Sequence, residues 1–175
     1  MRTAIATVAA ALLTLGGCSD STQTTSAPSQ RYQLTSEGVR VHSASDSRTV
    51  LLPGWIWVAA PHCPPVLAIG PKGEAVVTSN VVPMLWRIDP DTLAVSTHAL
   101  ALNVDLDKDV GFAGLFYSTE QAAFIAYSDI QRSVWKIDPA LTRAEKLGAS
   151  PDWKANFRLA QRFAYLRAGA CVDPA

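Results

Sequence analysis

The sequence predicts an all-β fold made of two four-stranded antiparallel repeats and a partial third. Three observations carry that prediction. First, Leu85-Trp86-Arg87-Ile88-Asp89-Pro90 returns 49 residues later as Val134-Trp135-Lys136-Ile137-Asp138-Pro139. The match extends backwards, with Ser79-Asn80 falling on Ser128-Asp129. Second, short apolar segments alternate with clusters of turn residues at the spacing of strands in series. Third, the chain is apolar and rich in Val, Ala, Leu and Trp, which suits pleated, half-buried surfaces.

In chain order, the first segment is an export signal. Arg2 supplies a positive charge and an apolar run follows from Ala4 to Leu15. A run of that length falls short of the roughly twenty residues that span a bilayer. It ends in Leu15-Gly16-Gly17-Cys18, which resembles the lipobox of bacterial lipoproteins: a branched apolar residue, two small ones, then the modified cysteine. The resemblance implies a signal peptide over residues 1–17 and diacylglycerol on the Cys18 sulfur. It also implies further acylation of the new amino terminus, since one acyl chain holds only marginally while two or more hold stably. The alternative is an ordinary secreted protein. Residues 18–30 form a polar tether: the twelve that follow Cys18, SDSTQTTSAPSQ, hold no large apolar side chain and cannot offset their ordering entropy. Such a segment has an end-to-end distance of roughly 20 Å. Ser19 stands where Asp would favour retention in the inner membrane of Gram-negative lipoproteins, so the resemblance favours the outer membrane, with the protein facing the periplasm.

The remaining chain, 31–175, is long enough for one domain with a core. Acidic and basic residues number 15 each, and no basic stripe occurs, which argues against nucleic acid. Residues 38–43 and 49–53 read as a hairpin with a polar turn at 44–48. Trp55 and Trp57 alternate around Ile56, which on a strand puts both indoles on one face. That face is either core or a stacking platform for a glycan or peptide. Cys63 and Cys171 are a disulfide candidate in an oxidising compartment, the alternative being two buried free thiols. Closing so long a loop would add around 4 kcal/mol in the chain-entropy model.

The first repeat, about 64–98, parses into strands at 66–69, 75–78, 84–88 and 94–98. The turns fall at Gly70-Pro71-Lys72-Gly73 and at 89–92. The second, about 113–148, places them at 114–117, 123–127, 133–137 and 144–147. Four short strands in a period of this length are the pattern of a β-propeller blade. The motif Trp-(Lys/Arg)-Ile-Asp-Pro before a strand resembles the turn between third and fourth strands in propellers of the YVTN, NHL and quinoprotein-like kind. Asp accepts from backbone N–H groups just ahead, and Pro fixes φ at the next position. Closed propellers have about four or more blades. Two blade-like repeats and a partial third therefore imply a small or incomplete propeller-like domain. A set completed by other chains and a truncated relative of a longer propeller are the alternatives. Residues 153–171 suit a strand completing a blade, or a helix.

Chemistry-bearing motifs are sparse. Asp105-Leu106-Asp107-Lys108-Asp109 opens like a calcium loop, but Val110 stands where Gly belongs and Phe116 where Glu belongs. His42, His62 and His98 are scattered without metal-ligand spacing, and no GxSxG elbow occurs. No cofactor, metal or catalytic residue is expected. The expected protein is a lipid-anchored envelope lipoprotein. Its non-catalytic β domain binds a protein or envelope polymer, with an envelope partner or self-association. The alternatives are a lactonase- or quinoprotein-like enzyme, and a glycan binder using Trp55 and Trp57.

Overall fold

The computed structural model describes residues 31–58, 63–104, 110–147, 161–164 and 171. The described chain is all-β. The first sheet joins β1 (Arg31–Thr35), β2 (Gly38–His42) and β3 (Ser47–Val50) as two hairpins in series. The sequence missed β1. Only Tyr32 and Leu34 mark its inward face, too few to show a period against the polar run before them. The first turn closes at Gly38, whose φ of 142° and close approach to the Val50 carbonyl leave no room for a Cβ.

The second sheet contains β4 (Leu67–Ile69), β5 (Ala75–Thr78), β6 (Met84–Ile88) and β7 (Val95–Ala99) in sequential antiparallel order. The third contains β8 (Ala101–Leu102), β9 (Gly114–Ser118), β10 (Ala123–Ser128), β11 (Ser133–Ile137) and β12 (Arg143–Leu147). Its order is β8-β12-β11-β10-β9. The two repeats are thus two sheets with matching register: Trp86 pairs with Thr97 and Val77, and Trp135 with Lys146 and Ala126. Short β8 was not legible beforehand. It pairs parallel to β12, through Ala101 N–H to Thr142 O (2.9 Å) and Asn103 N–H to Ala144 O (3.1 Å).

The sheets stack in layers. Trp86 and Ile88 pack with Val39, Val41 and Val50 of the first sheet. Trp135 and Ile137 pack with Ala68, Val76 and Leu85 of the second. The repeated tryptophan therefore faces the preceding sheet in both units. Stacking on two sides buries every residue of β5 and β10, which is why those strands are continuous runs of apolar and small residues. The far face of the third sheet meets Phe163, which stacks on Tyr127 (5.6 Å between centroids) and lies 5.5 Å from Phe116. Cys171, close to Phe163 in the chain, is bonded to Cys63 across 108 residues, with Cα atoms 5.1 Å apart. Among the described residues the sheets form neither a closed barrel nor a closed propeller. The expected strand at 153–171 lies largely outside the described residues, and 161–164 form a helical turn rather than a strand.

Within the second sheet the turns after β4 and β6 (70–74, 89–94) lie opposite the turn after β5 (79–83), and within the third the turn after β11 (138–142) lies opposite the turn after β10 (129–132). Consecutive residues link the sheets: Leu100 N–H donates to Pro83 O (2.9 Å) and Ala101 N–H to Thr142 O (2.9 Å). Burial first, then the charges of Asp89 and Asp91, raises the Tyr32 phenol above its ordinary value. The segment after β3 (51–58) meets the end of β5 and the turn that follows it (79–83). There Trp55 Nε1 donates to Thr78 O (3.1 Å), Asn80 Nδ2 donates to Val58 O (2.7 Å), and Phe112 N–H donates to Ser79 O (2.7 Å).

Candidate functional site

Beside the parallel β8–β12 pair lies a groove of about 590 Å³ lined by Ala101, Leu102, Asn103, Lys136, Asp138, Arg143, Ala144 and Glu145. Register places its charges. Lys136 pairs with Glu145 across β11 and β12, and Arg143 stands opposite Ala101 of β8. These side chains project from the sheet face that turns away from the second sheet. Ala144 and Ile137 on the opposite face enter the core. Asn103 Oδ1 accepts from Lys146 N–H (2.9 Å) and fixes the groove rim. Among the described residues Lys136, Arg143 and Glu145 form no ion pair within 4.0 Å, so their charges are open to a ligand.

Asp138 lies where the groove meets the turn. Its Oδ1 accepts from the N–H groups of Thr142 (2.8 Å) and Arg143 (2.7 Å), and its Oδ2 accepts the Thr142 hydroxyl (2.8 Å). Burial raises its carboxyl, but the hydrogen bonds from Arg143 and Thr142 outweigh burial and hold it below the ordinary value. The same charge reaches His98 on β7, whose Nε2 lies 2.9 Å from Ser96 Oγ. Burial first, then the Arg87 charge, lowers the His98 value, and Asp138 opposes both. A Ser–His contact beside a carboxylate is the raw material of nucleophilic chemistry. Here Asp138 accepts its hydrogen bonds from its own turn and makes none to His98, so the three groups form no relay.

The indoles of Trp55 and Trp57 meet edge to face, with centroids 5.8 Å apart and planes at 78°. Residues 55–58 pair in no sheet, so strand alternation does not apply to them. Both rings are half-buried, and Trp55 commits its N–H to Thr78 O. Two perpendicular rings offer no single flat surface for a sugar face. Cys63 and Cys171 are joined. Cys18, His62 and 105–109 lie outside the described residues. Val110 is core and Phe116 sits in β9. His42 ends β2. Among the described residues no cluster of three or more His, Cys, Asp or Glu side chains is placed to hold a metal.

The groove itself escaped sequence reading. Lys136, Asp138, Arg143 and Glu145 look like solvated strand and turn residues in the chain. Only the parallel docking of Ala101 and Leu102, some forty residues upstream, walls them into a recess. Compared with protein-family models, curated proteins and solved structures, the chain matches none.

Proposed function

We propose that this is a bacterial envelope lipoprotein, anchored through lipid on Cys18, whose β domain binds an envelope protein or polymer without catalysing a reaction on it. The groove beside β8 supports the binding half of this reading. It is bordered by an edge strand and carries Lys136, Arg143 and Glu145 without ion pairs among the described residues. An edge strand offers backbone donors and acceptors to an extended segment, and the neighbouring charges select among segments. The lipobox Leu15-Gly16-Gly17-Cys18 and the polar tether support the anchoring half.

Photo-crosslinking residues placed at Asn103 and Glu145 of the protein in living cells test the binding half. A discrete protein or polymer adduct at both positions, absent from exposed Ala140, is expected. Recovery of lipid alone at the groove positions would remove its support. A second reading, an enzyme, rests on the Ser96–His98 contact. A fluorophosphonate probe is expected to leave Ser96 unlabelled. Covalent labelling of Ser96 that His98→Ala abolishes would put the enzyme reading first.

A further inference from the structure

Each Asp-Pro turn leans on the sheet before it. Leu93, in the turn of Asp89, packs against the cluster of Val39, Val41 and Val50 from the first sheet. Leu141, in the turn of Asp138, is buried with Ala68, Val76 and Leu85 of the second. The carboxylate keeps the same company: the charge of Asp89 reaches Tyr32 of β1, and that of Asp138 reaches His98 of β7. The repeat shift of 49 residues carries Arg87, Ser96 and His98 of the second sheet onto Lys136, Glu145 and Leu147 of the third. The pairing is kept as well, Arg87 with Ser96 and Lys136 with Glu145. The groove, lined by Lys136 and Glu145, is thus the third sheet's counterpart of the surface that receives the Asp138 turn on the second.

Among the described residues no further sheet lies on that face. Its apolar part, Ile125, Tyr127 and Val134, packs with Phe163 and Cys63. Val134 and Lys136 project from the same side of β11, so the covered part runs directly into the groove. The disulfide to Cys63 ties Cys171 to this face. Directly after Cys171 the chain reads Val172-Asp173-Pro174, its third Asp-Pro pair. A β-branched residue precedes it, as Ile88 and Ile137 precede the other two. It follows Asp138 too soon for another full unit of 49 residues.

We propose that Val172-Asp173-Pro174, which lies outside the described residues, is the groove's resident occupant, with the Asp173 carboxylate between the Lys136 ammonium and the Arg143 guanidinium. An outside partner enters by displacing it. The inference rests on the groove being the binding site proposed above, and it names that site's partner as an acidic polypeptide segment. Charge supports it. Asp138 spends its carboxylate on its own turn, which leaves two cations against Glu145 alone, so the groove favours an acid. Reach supports it too. Two extended residues span about 7 Å, the same as the step from Val134 to Lys136 along β11. An acid two residues from a covalent tie has a high effective concentration, so a weak exposed ion pair is enough to keep the groove filled.

The test uses the whole protein, purified without reductant and treated with a water-soluble carbodiimide, which joins a lysine amine to a carboxylate in contact with it. Peptide mass mapping is expected to find Lys136 joined to Asp173 within one chain, and Asp173→Asn to lose that link. Amide NMR signals of Lys136, Arg143 and Glu145 are expected to shift in Asp173→Asn and to stay in place in the control Asp91→Asn. Lys136 joined to Glu145 alone, or unmoved amides in Asp173→Asn, overturns the inference. A Lys136–Asp173 link found only between two chains overturns it in favour of a second copy. Photo-crosslinking from Asn103 in cells separates this inference from the binding reading. Asp173→Asn is expected to raise the partner adduct about two- to fivefold, the effect of losing one exposed ion pair. An unchanged adduct overturns the displacement. A Lys136–Asp173 link without a partner adduct from either protein overturns the binding reading and leaves the resident occupant standing.

Discussion

Asp89 accepts the Thr92 hydroxyl and the N–H groups of Asp91 and Thr92, whereas Asp138 accepts the Thr142 hydroxyl and the N–H groups of Thr142 and Arg143. The two loops have equal length, since Ile88 pairs with Val95 and Ile137 with Ala144. Their internal paths differ because Thr precedes Leu in the first and follows it in the second. In each, the leucine takes the left-handed conformation, Leu93 at φ 57° and Leu141 at φ 59°. For Asp89, the Thr92 N–H and hydroxyl lower the carboxyl's value. A carboxyl lowered on folding binds fewer protons in the native state than in the unfolded chain. Its contribution is whole above the ordinary carboxylate value and is lost as pH falls through the lowered one. His98, lowered by burial, acts in the same direction higher up the scale: below the ordinary imidazole value the unfolded chain takes the proton more readily, so stability drops there too. Urea denaturation should show Asp138→Ala costing about 1–2 kcal/mol at neutral pH and progressively less in strong acid. His98→Gln should flatten the decline near pH 6, about where free imidazole titrates. Gly111 is a different kind of residue-scale constraint. A Cβ there would collide with the backbone of Asn80, so Gly111→Ala should cost about 3 kcal/mol by the same measurement.

At the scale of elements, the repeat is more faithful in register than in chemistry. Trp86 and Trp135 occupy equivalent places and face the same way, yet Trp86 Nε1 donates to Pro53 O (2.8 Å) at the end of the first sheet, and Trp135 Nε1 to its own sheet's Ser133 Oγ (2.8 Å). One indole ties two layers together and the other does not. Trp86→Phe should therefore speed hydrogen exchange across β1–β3, while Trp135→Phe leaves it unchanged relative to the rest of the molecule. Of the eight strands of the two repeats, β5, β6 and β11 are legible in the sequence without any shift, β4, β9, β10 and β12 with one residue of shift at one end, and β7 with one residue at both ends. Their signals are local: Asp-Pro turns, Gly70-Pro71-Lys72-Gly73 and runs of apolar residues. Strands β1 and β8 escaped because each is too short or too polar to carry a period, and a partner strand decides their conformation.

On the scale of the whole molecule, the Cys63–Cys171 bond ties the entry to the second sheet to the tail that carries Phe163 over the third. Its 108-residue separation is long, and in the chain-entropy model such closure adds about 4–5 kcal/mol. Replacing both cysteines with serine should lower the urea midpoint accordingly. It should also raise exchange at Tyr127 and Ile125 before the first sheet responds, because the lost link caps the third sheet. An unchanged midpoint would show that the tail packs as well without its bond.

By itself the sequence determined the all-β class, the repeat and its period, the turns that bound its strands, and a cysteine pair available for bonding. Each of these is written in short-range pattern, where a few neighbouring residues fix conformation. Only the tertiary structure decided that the units stack as open layers with each tryptophan on the preceding sheet. It likewise decided that a two-residue strand walls charged side chains into a groove. Those are contacts between segments far apart in the chain, and no local pattern of side chains specifies which distant backbone will come to lie beside it.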